Sequence, residues 1–208
     1  MPESAMLDSR LRPLIDPPLN RLGIWLAGRG VRADWVTALG LVLGLGAALA
    51  IFGGFWLLAL VLVLASRLAD GLDGAVARAT EISDFGGYFD IFADFVFYAA
   101  IPLAFVLADP ATNGAAGAFL LASFYINAAS FLGFAILAEK AQMRTDAQGR
   151  KSIYFSNGLL EGSETIAFFI AFCLFPGAFV QLALIFAALC LLTATLRVLA
   201  AARLFRRR

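Results

Sequence analysis

Six apolar stretches, near residues 34–53, 55–78, 86–108, 115–138, 164–175 and 178–202, occupy most of this 208-residue chain. A helix needs about 20 apolar residues to cross a bilayer, and a backbone surrounded by lipid must satisfy its own hydrogen bonds. The chain therefore reads as all-α and polytopic, with six transmembrane helices in one membrane domain, 34–208. At 62% hydrophobic residues, 15% charged residues and a mean hydropathy of +0.86, it exceeds what a soluble domain carries. The fifth stretch is short, and reaches spanning length only if its helix begins between Gly158 and Ser163. Residues 1–33 form a separate segment in which Arg10, Arg12, Asp16 and Arg21 alternate with Leu11, Leu14, Ile15, Leu22 and Trp25. This pattern fits an amphipathic piece lying in the membrane interface and broken at Pro17-Pro18, or a solvated linker. Its charges and prolines do not read as a cleavable signal peptide.

Four aspartates interrupt this lipid-like sequence: Asp70 and Asp73 near the end of the second stretch, Asp90 and Asp94 near the start of the third. An ionised Asp in mid-bilayer costs roughly 2.5–3.5 kcal/mol, so four together demand compensation. Residues three or four apart share a helix face, and a short polar turn from Thr80 to Asp84 lets the two helices run antiparallel. The four acids would then surround one spot, where two Mg²⁺ or Mn²⁺ ions would neutralise them and take the remaining ligands from water or substrate. Gly71, Gly74 and Ala77 leave room beside the acids, and Arg78 offers a planar fork suited to a phosphate oxygen. An ion or proton pathway of a transporter is the other reading of intramembrane acids. The sequence has no histidine, which excludes imidazole bases and His-ligated zinc, and Cys173 and Cys190 sit in apolar runs as small buried hydrophobes.

The segment 70–94 resembles the CDP-alcohol phosphatidyltransferase family, whose pattern Asp-x2-Asp-Gly-x2-Ala-Arg, a gap, then Gly-x3-Asp-x3-Asp is matched at every position from Asp70 to Asp94. The seven-residue gap between Arg78 and Gly86 is at the short end for the family and falls in the turn. Asp34-Trp-Val-Thr37 resembles the family's Asn-or-Pro-x-x-Thr element, which contacts the cytidine diphosphate, with Asp34 in place of the usual residue. For Asp34 a plain helix N-cap is the competing role. The resemblance implies CDP and diphosphate contacts at Asp34, Thr37, Gly71, Gly74, Ala77, Arg78 and Gly86. It implies metal ligands at Asp70, Asp73, Asp90 and Asp94, with Asp94 also the catalytic base.

The expected activity is phosphatidyl transfer from CDP-diacylglycerol to the hydroxyl of a small alcohol or alcohol phosphate, releasing CMP. Headgroup transfer onto diacylglycerol is the alternative within the family, and transport the alternative outside it. The loop 140–164 carries a Lys151-Ser152 and Gly158–Ile166 element similar to that of small bacterial inner-membrane members. Arg150, Lys151 and Arg197 are candidate acceptor contacts; Arg197 equally suits an interfacial anchor. The family resemblance also implies a homodimer, and no nucleic-acid partner is expected. If six spans alternate, Arg78, Lys140, Arg144, Arg150, Lys151 and the C-terminal arginines share one side with the basic N-terminal stretch. The opposite connections lack Lys and Arg, so the positive-inside rule places both termini and the acids on the cytoplasmic face.

Overall fold

The computed structural model describes residues 7–141 and 162–205. Among these the regular structure is helical throughout: α1 (Leu7–Ala27), α2 (Ala33–Phe52), α3 (Trp56–Ala79), α4 (Asp84–Ala108), α5 (Pro110–Lys140), α6 (Gly162–Leu174) and α7 (Phe179–Phe205), with a 3₁₀ turn at Pro176–Ala178 before α7. Four of them, α2, α4, α5 and α7 with its preceding turn, are long and apolar enough to cross a membrane. The chain is thus a membrane protein. The other two expected spans fall short for different reasons. α3 has 24 residues but carries Arg67, Asp70, Asp73 and Arg78 from its midpoint onward. The described part of α6 has only 13 residues and begins at Gly162.

Local chemistry sets the helix ends. Ser83 caps α4, its Oγ accepting the Gly86 N–H at 3.0 Å, and Asp109 caps α5 by accepting the Thr112 N–H at 3.1 Å, with Pro110 following at the first helical position. Gly30 and Gly54 take positive φ values of 79° and 75° in the turns before α2 and α3, a backbone region that side-chain-bearing residues rarely adopt. The expected break at Pro17-Pro18 does not occur, because α1 runs through both prolines. A proline lacks the N–H but its ring fixes φ at a helical value, and packing of α1 on α3 supports the segment beyond. There Gly23 abuts Ala75 so closely that a Cβ on it would lie 2.7 Å from the Ala75 Cβ.

α2 packs against both α3 and α4, and α5 against α7. Close approach to α2 depends on two glycines: a Cβ at Gly40 would meet the Ala69 Cβ at 3.3 Å, and one at Gly44 would meet Phe97 Cδ2 at 2.6 Å. Ser66 Oγ ties α3 to this face by donating to the Gly40 carbonyl at 2.8 Å.

Apolar burial is uneven along the bundle. The large core joins the C-terminal halves of α2 and α4 to the N-terminal halves of α3, α5 and α7, and to α6, through Ile51, Val63, Ile101, Leu120 and a set of stacked phenylalanines. Phe105 lies on Phe179 at 4.5 Å and Phe168 on Phe186 at 4.3 Å. At the end that holds the aspartates, Val36, Ala69 and Val76 form a second, small buried cluster. Cys173 and Cys190 are buried free thiols, as the sequence suggests.

Candidate active site

The turn Thr80–Ser83 joins α3 to α4 and returns the chain, so both acid pairs fall at the same end of the bundle. Asp70, Asp73, Asp90 and Asp94 form one electrostatic group in which each acid lies within range of others. Among the described residues no three acidic side chains stand close enough to hold one ion. The cause lies in the packing. Both α3 and α4 rest on α2, and the acids are engaged by other side chains of the protein.

Asp73, buried to 6% exposure, accepts the Thr37 hydroxyl from α2 at 2.6 Å. Asp94 accepts Nη1 of Arg67 on Oδ1 at 2.7 Å, and the Tyr98 hydroxyl reaches its Oδ2 at 3.4 Å. The same Arg67 nitrogen stands 3.3 Å from Asp70. Arg67 went unnoticed in the sequence because its partners lie on two helices; the available signal was a guanidinium one turn ahead of Asp70 inside an apolar run.

The other expected site residues spread around this centre. Asp34 does not cap α2: Arg32 occupies the N-cap position, and Asp34 sits in the first turn. There it pairs with Arg32 at 3.8 Å, and a Cβ on Gly86 would lie 3.3 Å from its Oδ1, so the starts of α2 and α4 are neighbours. Gly71 packs beneath Leu19 of α1, a Cβ there meeting Leu19 Cδ1 at 3.0 Å, so the space beside it belongs to α1. A Cβ on Gly74 would meet Arg78 Nη1 at 3.2 Å, and Ala77 is half-buried. Arg78, exposed at the end of α3, donates to Asn20 Oδ1 at 2.9 Å. A cavity of about 290 Å³ lies beside this end, lined by Arg32, Asp34, Thr80, Glu81 and Ser83. Arg197 on α7 is half-buried and bonds to α5 through Asn127 Oδ1 at 2.9 Å and Ser130 Oγ at 2.7 Å. Arg150 and Lys151 lie outside the described residues.

The CDP-alcohol phosphatidyltransferase family model matches residues 31–202, which take in all four aspartates and α2 through most of α7. The chain belongs to this family. It is 45% identical over 193 residues to the inner membrane protein YnjF of Escherichia coli (strain K12), covering 93% of this chain and 94% of that protein. It is also 36% identical over 83 residues to the archaetidylinositol phosphate synthase of Pyrococcus horikoshii, covering 39% of this chain and 44% of that one. Membership makes this a transferase of phospholipid synthesis acting on CDP-linked substrates. Four hard carboxylates with a single guanidinium among them are a donor set suited to a divalent cation. In this structure Arg67 and Thr37 hold three of the four.

Proposed function

We propose that the protein transfers a phosphatidyl group from CDP-diacylglycerol to the hydroxyl of a small alcohol or alcohol phosphate. The acceptor oxygen attacks the phosphorus that carries diacylglycerol, the bond to CMP breaks, and the hydroxyl proton passes to Asp94. The observation that carries this reading is the grouping of Asp70, Asp73, Asp90 and Asp94 at one end of α3 and α4 inside a chain of this family. These four acids would hold Mg²⁺ or Mn²⁺, which when bound supplies positive charge to the diphosphate as CMP departs. Arg78, whose guanidinium lies over Gly74, suits the diphosphate, and Asp34, Thr37, Ala77 and Gly86 border the same end. The homodimer belongs to this proposal as well.

All six helices α2–α7 would cross the membrane. In support, the α2–α3, α4–α5 and α6–α7 connections line one cavity of about 490 Å³ through Gly53, Gly54, Asp109, Pro176 and Gly177, as alternating spans require. These connections carry no Lys or Arg, whereas Arg78, Lys140 and Arg203 fall at the other end; by the positive-inside rule this supports a cytoplasmic side for the acids and both termini in a bacterial inner membrane. A phosphorylated acceptor is favoured by the named activity of the Pyrococcus relative and by the half-buried Arg197 cation.

The test is CMP release from CDP-diacylglycerol with a panel of alcohols and alcohol phosphates in detergent. Asp70→Asn, Asp73→Asn and Asp90→Asn should each abolish it in folded protein, because even losses around a metal ligand cost about 10–100-fold. More than about a tenth of activity in all three would overturn the metal-site reading. Solute movement in vesicles with no lipid product would support a transporter.

A further inference from the structure

Arg67 makes the closest ion pair among the described residues and makes it within the acid group. Its side chain is only 10% exposed, its guanidinium lies 4.1 Å from the Phe97 ring centre, and Nη2 reaches Ser66 Oγ at 3.3 Å. Its Nε is buried without a hydrogen-bond partner. With Arg67 on Oδ1 and Tyr98 on Oδ2, both oxygens of Asp94 are already engaged, and the nearer oxygen of Asp70 faces the same guanidinium nitrogen.

We propose that Arg67 is an internal counter-ion that competes with divalent cations for Asp94 and Asp70, so that cation binding displaces the Arg67 contact. The idea rests on the metal reading above and adds to it a residue that the sequence motif does not contain. Two observations point to competition rather than support. The oxygens that a dication would need are the ones aimed at the guanidinium, and a fixed positive charge within contact distance repels a second cation. A group of four carboxylates, Asp73 buried and the others partly so, also needs a cation in its neighbourhood, and Arg67 supplies one from within the chain. The contact is built to be given up: Nε makes no hydrogen bond, and the Phe97 face, with Tyr98 at 5.9 Å beyond it, holds the guanidinium independently of the acids.

The experiment is Mn²⁺ titration of the purified full-length chain in detergent, with free Mn²⁺ read by electron paramagnetic resonance. Thermal unfolding is followed in parallel, with chelator and with saturating Mn²⁺. Arg67→Gln should bind Mn²⁺ about 10-fold more tightly than the parent, the size of one charge-assisted contact. It should unfold at a lower temperature than the parent in chelator, and saturating Mn²⁺ should close that gap. Arg67→Lys, which keeps the charge but as a point that cannot bridge two acids, should tighten binding by about 2- to 5-fold and serves if the Gln variant does not fold. Equal or weaker Mn²⁺ binding by a folded variant, beside measurable binding by the parent, overturns the competition and leaves the metal site standing. Absence of Mn²⁺ binding in parent and variants alike overturns both.

Discussion

Replacing Thr37 by Val tests how the site is held. Thr37 and Asp73 are each 6% exposed, and their 2.6 Å hydrogen bond joins α2 to α3 across 36 residues of sequence. Valine keeps the shape and removes the donor, leaving a buried carboxylate short of one partner. A hydrogen bond to a charged group contributes about 1.5–3 kcal/mol, roughly 10- to 100-fold in an equilibrium. A neutral bond between membrane helices averages only about 0.6 kcal/mol. The charged case applies here, so the expected loss is the larger one. A double-mutant cycle of Thr37→Val with Asp73→Ala, measured by reversible unfolding in mixed micelles, should give a coupling of at least about 1.5 kcal/mol. Thr37→Ser should retain most of the stability and the CMP-releasing activity, while the valine variant loses about 10-fold or more of the latter. Additive losses, with a coupling below about 0.5 kcal/mol, would show that Thr37 does not act through Asp73, and would refute the reasoning.

Two further outcomes follow from the packing. Arg197→Gln removes hydrogen bonds to Asn127 and Ser130, so α7 should loosen from α5 and the unfolding temperature should fall. If the acceptor is phosphorylated, its KM should also rise about 10-fold or more while that of CDP-diacylglycerol stays level, and equal rises in both would assign Arg197 to structure alone. Gly44→Leu drives a large side chain into Phe97, already 2.6 Å from an ideal Cβ, and should cost well over the ~1–3 kcal/mol of ordinary overpacking. A variant with unchanged thermal unfolding would show that α2 and α4 can separate freely.

The parts of the site that lie along one helix were legible in the sequence, and the parts that lie between helices were not. The Asp pairs, the turn after Arg78 and the burial of both cysteines follow from spacing and local polarity. Arg67 holding Asp94, Thr37 holding Asp73, and Arg197 bonded to α5 are pairings across 27, 36 and 70 residues, which depend on how helices rotate against one another. Spacing fixes a common face on each helix, but α2 stands against both and sets the angle between them. Proline at 17 and 18 misled because a break is the local expectation, whereas contact with α3 extends α1 beyond them.

The uneven core gives the bundle the mechanics of tweezers. Stacked phenylalanines weld the helices at the end away from the aspartates, while among the described residues the acid end is joined by polar bonds, a small apolar cluster and the Phe134–Phe205 ring contact. Spreading the tips exposes little apolar surface, so the free energy of opening is set by contacts such as Arg67 with Asp94, which a charged visitor can replace one for one. On the proposed function, a two-tailed lipid bearing a diphosphate would be gripped and released at the tips while the welded end keeps its shape, with no rearrangement of the hydrophobic core.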